Sequence, residues 1–213
     1  LLPALAEEFK ISGFMLGILA ASFAFAQLFF SPFWGTLSDK WGRKPVIALG
    51  LVGLSAGFFL FVLAPSVITL FASRLLQGAF TAATLPAARA YIADRSTPGE
   101  RVQAMGKIGA SLALGFMFGP VFGGMLAKYS LAFPFLAAGI IAFLTFLFIL
   151  KLLPESLKEK TKEPISLNQL WIPIKRLWGG FRNSLAPLFI LSLLWSFGLS
   201  NNQLIIPLLG AEK

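Results

Sequence analysis

Six apolar stretches follow one another along this 213-residue chain, at roughly 13–34, 46–65, 68–92, 107–127, 131–150 and 185–210. Each is close to the length of about 20 residues that a helix needs to cross a bilayer. That length dictates the secondary structure. Lipid offers no partner to a backbone N–H or C=O, and a helix satisfies those groups within itself. No alternating pattern of the kind a membrane barrel requires is present. The composition agrees, because 57% of residues are apolar and 13% charged, with a mean hydropathy of +0.80. An ordinary water-soluble domain is excluded, and an all-α membrane protein is expected.

The formal net charge of +9 raises the question of nucleic acid, and the placement of the charges answers it. Of the 18 Lys and Arg, 14 fall in three stretches, Asp39 to Lys44, Arg89 to Lys107 and Lys151 to Arg182. These alternate with nearly uncharged connections, which is the pattern of cytoplasmic loops in a multi-pass protein of the cell (inner or plasma) membrane. The expected partner is therefore the lipid bilayer and not nucleic acid. The segment GTLSDKWGRKP, Gly35 to Pro45, is expected to form a tight cytoplasmic turn, with Lys40, Arg43 and Lys44 set against Asp39. The first span then runs inward to it, and the later spans alternate. With no Cys and no His, neither a thiolate site nor the commonest metal ligand is available, so no metal or cofactor is expected.

The chain opens on LLPALAEEFK, which reads as the end of a preceding first helix with its outer loop, residues 1–12. Residues 13–152 are expected to form an amino-terminal bundle of five spans, and 185–213 the first helix of a carboxyl-terminal bundle. Between them, 153–184 is a polar cytoplasmic linker. Leu167, Leu170, Trp171, Ile174, Leu177 and Trp178 recur there at helical spacing. An amphipathic helix on the inner membrane face fits that pattern, and an unstructured linker interrupted at Pro173 fits it as well. On this reading the sequence is an internal segment, whose further partner is the missing carboxyl-terminal half of the same protein.

Four patches carry more specific information. GTLSDKWGRKP has Gly35 and Gly42 where a cramped turn needs them, and Asp39 and Arg43 where they can pair. RLLQGAFTAA, Arg74 to Ala83, puts an Arg and Gln77 into a span. A charge there is costly, so Arg74 either faces protein and water or snorkels to the outer headgroups. AYIADRSTPGER, Ala90 to Arg101, places Asp94 at a cytoplasmic helix end, as a solvated charge or a paired one. GFMFGPVFGG sets Gly115, Gly119 and Gly123 on one helical face, with Pro120 and Gly124 beside them. Such a face lets another backbone approach closely, either as static packing or as a sliding contact. Gly13, Gly17 and Ala21, and Gly50, Gly53 and Gly57, form similar faces and are read as packing.

Together these patches resemble the major facilitator superfamily, and within it the twelve-helix drug:proton antiporters of the tetracycline and multidrug efflux kind. The LPES at Leu153 to Ser156 is also similar to the end of their sixth helix. The resemblance implies a partial major facilitator fold, helices two to seven of twelve. It implies a cytoplasmic gate made of Gly35, Asp39, Gly42, Arg43, Lys44 and Asp94, closing in the outward-facing state. It further implies that Arg74 relays or tunes a proton, and that Gly115, Gly119, Pro120, Gly123 and Gly124 are the antiporter motif of the fifth helix.

Polar groups able to meet cargo are few. Gln27, Gln77, Asn201 and Asn202 are the candidates for lining a substrate path, with interhelical bonding as the other reading of the last two. No Asp or Glu lies inside any of the six spans, so the carrier of a coupled proton is expected elsewhere in the protein. No nucleophile, base and orienting group converge, and no phosphate-binding loop is seen, which argues against an enzyme or an ATP-driven pump. The expectation is a secondary transporter exporting a small-molecule substrate in exchange for protons. Uptake of a sugar or metabolite on the same fold, and a non-transporting fragment or subunit, are the alternatives.

Overall fold

The computed structural model describes residues 11–157 and four helical positions beyond them, Pro187, Ile190, Leu191 and Leu194. The chain divides into two compact units, Leu1–Glu163 and Pro164–Lys213, and the architecture below is that of the first. Asn201, Asn202 and the amphipathic pattern of the linker lie outside the described residues.

Among the described residues this unit has five helices: α1 (Gly13–Trp41), α2 (Arg43–Val62), α3 (Val67–Arg95), α4 (Arg101–Ala127) and α5 (Ala132–Leu152). All five are long and apolar enough to cross a membrane. Two begin on serine caps. The Ser12 hydroxyl accepts the Met15 N–H at 3.3 Å, and the Ser66 hydroxyl accepts the Thr69 N–H at 3.4 Å, satisfying donors that a helix start leaves free.

The helix ends depart from the expected span ends, most of all around the basic segment. Gly35 to Trp41 is not a turn. It continues α1 without interruption, and the chain reverses at Gly42 alone, where φ is +116°. Hydropathy marks where a chain leaves lipid, whereas a helix ends where its backbone must turn. Here α1 has 29 residues and is about 43 Å long at 1.5 Å per residue, well beyond the roughly 30 Å of hydrocarbon. Its polar last turns remain helical because Leu37 and Ser38 are buried and the Thr36 hydroxyl bonds back to the Pro32 carbonyl at 3.0 Å. Pro45 sits in the first turn of α2, where its lack of an N–H costs nothing. Gly35 is accordingly an ordinary helical residue. For the same reason α3 reaches Arg95 and α4 starts at Arg101, six residues before the expected span.

The packing centres on α3, which lies against both α1 and α2, with α5 on the far side of α2. Gly50, Gly53 and Gly57 are the close-approach face the sequence suggested. A Cβ on Gly50 would stand 2.6 Å from the Thr84 hydroxyl, one on Gly57 2.7 Å from Gln77 Cγ, and one on Gly53 inside the Phe80 ring. Gly78 does the same between α3 and α1, with the Phe23 carbonyl oxygen occupying the place of its side chain. Around these contacts lie two apolar clusters, one of Trp34, Leu37, Val46, Ile47 and Leu51 with Ala82, Ala83 and Ala87, the other of Leu19, Phe61, Leu70 and Phe135. The buried Trp34 indole donates to the Ala79 carbonyl at 2.7 Å, so its one polar atom also joins α1 to α3. Gly13 and Gly17 have nothing within 4 Å of a built Cβ, so the packing role expected of them is absent among the described residues.

Candidate functional site

The ends of α1, α2, α3 and α5 meet in a cluster of charges built around Arg43. As the first residue of α2, just past the Gly42 elbow, Arg43 has its side chain turned back across the bundle and 12% exposed. Its guanidinium pairs with Asp39, one turn earlier on α1, donates to Asp94 Oδ2 on α3 at 3.1 Å and to the Ser38 hydroxyl at 3.0 Å. Lys44 turns toward α5 and donates to the Leu150 carbonyl at 2.8 Å, a cation on the carbonyl end of a helix.

A further carboxylate, to which the sequence reading assigned no role, completes the cluster. Glu155 lies in the LPES segment after α5, and its two oxygens accept the backbone N–H groups of Arg43 at 2.9 Å and Lys44 at 3.2 Å. These are the opening donors of α2, a helix that no side chain of its own caps. Next to it, Ser156 is buried and its hydroxyl lies 3.4 Å from Asp94 Oδ2.

The loop from α3 to α4 is closed separately. Glu100 accepts the Thr97 hydroxyl at 2.7 Å and the Thr97 N–H at 3.3 Å. These bonds hold its carboxyl below the usual carboxylate range. The loop contact is therefore present at neutral pH and is lost as pH falls through that lowered value.

Toward the other end of the bundle the Arg74 side chain lies against protein. Its guanidinium carbon lies 4.6 Å from the centre of the Phe61 ring and 5.8 Å from that of Phe135. Nη1 donates to Gln77 Oε1 at 3.1 Å, while buried Nε finds no acceptor among the described residues. The Gln77 amide in turn donates to the Gly57 carbonyl at 3.0 Å, and the residue is 1% exposed. Gln77 thus joins α3 to α2 and lines no open path among the described residues, where it makes an interhelical bond in place of the substrate contact expected of it. Gln27 is half-buried on α1.

Arg74→Met is expected to leave thermal stability unchanged or raised, since it removes a charge held between rings with no carboxylate beside it among the described residues. A thermal-shift assay on the purified full-length protein checks this. A large fall would mean that the Gln77 bond and the ring contacts outweigh the cost of burying the charge.

The glycine face of α4 lines an apolar cleft of about 470 Å³ against α5, with Phe118, Phe122, Phe135 and Phe58 among its walls. Gly115, Gly119 and Gly124 meet nothing within 4 Å, and α4 buries none of its residues. At Gly115, Gly119 and Gly124 the close backbone approach expected there is not made by any described residue.

A family profile described as Major Facilitator Superfamily matches residues 1–212. The chain belongs to the Major Facilitator Superfamily.

This facilitator chain is 34% identical to Multidrug resistance protein 2 of Bacillus subtilis over 219 residues, covering 100% of the chain and 53% of that protein. It is also 34% identical to Quinolone resistance protein NorA of Staphylococcus aureus over 213 residues, with the same coverage. The chain thus spans about half the length of the curated relatives it matches. Among solved structures it is similar to the human organic anion transporter MFSD10 (TETRAN), with a TM-score of 0.66 and 27% identity over 80% of this chain and 41% of that one. With five apolar helices among its described residues and its place in that family, it is a multi-pass membrane protein carrying part of the facilitator fold.

Of the gate residues implied by the facilitator resemblance, the fold brings together Asp39, Gly42, Arg43 and Asp94. Lys44 joins them through the end of α5, and Gly35 stands apart within α1. Glu155 was the omission. The signal available for it was a carboxylate just after a helix end, which sequence spacing alone could not connect to residues more than a hundred positions earlier.

Proposed function

We propose that this chain is part of a secondary active exporter of the cell membrane, which expels hydrophobic or cationic small molecules in exchange for protons by alternating access. The observation that carries the reading is similarity along the whole chain to proteins named for multidrug and quinolone resistance. The geometry supports it with a mechanism. Arg43 holds three helix ends together through Asp39 and Asp94, a contact that can be made in one state of the transporter and broken in the other. Asp39 and Asp94 are the acidic residues of the described helices, and both lie at helix ends, so the coupled proton is carried elsewhere in the full protein.

A second reading, export of an organic anion, draws on the 27% identity to MFSD10 and on the enclosed cation at Arg74. Energised inside-out vesicles containing the full-length protein separate the two. Proton release on adding a cationic dye or a quinolone supports drug:proton antiport. Release with an anionic dye alone supports the second reading, and none with either, in vesicles shown to contain the protein, overturns both.

Asp39→Asn removes the charge that Arg43 meets across the elbow. It is expected to lower transport severalfold while membrane insertion stays normal, as read by dye export and by immunoblot of washed membranes. Export at the unsubstituted rate would remove Asp39 from the gate.

A further inference from the structure

Capping of α2 by Glu155 bears directly on Arg43, because the two N–H groups it accepts belong to Arg43 itself and to Lys44. A carboxylate at a helix start satisfies free donors and meets the positive end of the helix dipole, so it fixes how that first turn is oriented. The Glu155 carboxylate is itself fixed, since Oε1 also accepts the N–H groups of Ser156 at 2.9 Å and Leu157 at 3.1 Å. Room for it exists because Gly42 lacks a side chain. A Cβ there would collide with the Glu155 carboxylate, and the φ of +116° disfavours one independently. The elbow glycine therefore serves two ends at once, the reversal of the chain and the seating of a carboxylate from the far end of the unit.

We propose that Glu155 is a positioning residue of the gate. It acts through Arg43, holding the first turn of α2 so that one guanidinium reaches Asp39 and Asp94 together, and it makes the end of α5 part of the same latch. When α2 tilts, the carboxylate loses both donors together, so the segment leaving α5 is released in the same step as the Arg43 pairs. The proposal rests on reading the cluster as a transport gate.

The test uses the full-length protein with any cysteines replaced and one reporter, Ser156→Cys, buried in the segment after α5 that the latch holds. Labelling by a membrane-impermeant maleimide in inside-out vesicles reads whether the latch is closed, with no need for transport. Glu155→Ala is expected to raise the labelling rate several-fold and to lower dye export. Glu155→Gln, which keeps an oxygen acceptor but no charge, is expected to fall between Glu155→Ala and the unsubstituted protein. In an Arg43→Ala background Glu155→Ala is expected to add nothing to the labelling rate, because its effect passes through Arg43. Unsubstituted labelling in Glu155→Ala overturns the proposal, as does a full additional increase in the Arg43→Ala background, which is what a merely structural cap would give. Should Glu155→Ala fail to insert, the same two comparisons are made with Glu155→Gln. A labelling response that passes through Arg43, in a protein that exports none of the compounds tried, would uphold the latch and overturn the transport reading.

Discussion

With Arg43 replaced by alanine, the full-length protein is expected to reach the membrane in near-normal amount and to lose transport about tenfold or more, the factor that about 1.4 kcal/mol represents. Three contacts disappear together. The Asp39 pair contributes least, since Asp39 is 55% exposed and water screens it. The bond to Asp94 contributes more, because Asp94 is 29% exposed and the guanidinium 12%. A charged hydrogen bond in such a setting stabilises by about 1.5–3 kcal/mol at most, and some discount for the remaining exposure applies. Arg43→Lys is expected to rescue little, because one ammonium on a flexible stem cannot reproduce a fork that spans Asp39, Asp94 and Ser38. Initial rates of dye export at equal membrane abundance check both variants. Near-normal export by Arg43→Lys would show that the positive charge alone matters.

The second large effect concerns folding. Gly78→Leu is expected to destabilise the bundle by about 3 kcal/mol or more, at or beyond the upper end of ordinary overpacking. The new side chain would occupy the place of the Phe23 carbonyl oxygen, and a backbone atom inside a helix cannot swing aside. To admit it, α1 and α3 must separate, which pulls the Trp34 indole from the Ala79 carbonyl. Gly53→Leu is a milder case, because the obstacle there is the Phe80 ring. Gly17→Leu is the control, with nothing within 4 Å of its built Cβ. The yield of monodisperse protein in detergent and its melting temperature should rank the three, with Gly78→Leu lowest. Equal behaviour of Gly78→Leu and Gly17→Leu would contradict the helix contact described.

The ranking also shows what could be read from sequence. Gly50, Gly53 and Gly57 were read as a packing face from their helical spacing, and the structure supplies the α3 residues that fill it, Thr84, Phe80 and Gln77. Gly13 and Gly17 have the same spacing without the partner, and spacing carries no information about what lies opposite. The five helices of the described bundle were legible from apolar run length, and the pairing capacity of Asp39 and Arg43 from their separation by one helical turn. Helix ends were not legible. The polar residues from Gly35 to Trp41 signal departure from lipid, and the helix persists through them to the one residue whose backbone turns. Gln77 shows a related limit. A polar side chain within a span can meet cargo or a neighbouring carbonyl, and only the position of the Gly57 carbonyl decides between them. Glu155 could not be found by periodicity at all, since its partners are backbone donors of a different helix.

The single-residue elbow at Gly42 bears on how the protein is made. Two helices joined by one residue cannot enter a bilayer as independent units, because no slack exists for one to wait in water while the other inserts. They are expected to leave the translocation machinery as a preformed hairpin, with Lys40, Arg43 and Lys44 at its tip holding that tip on the cytoplasmic side. An epitope tag or protease site inserted at Gly42 should therefore abolish biogenesis. The same insertion between Ser96 and Glu100, within the five residues that separate α3 from α4, should be tolerated.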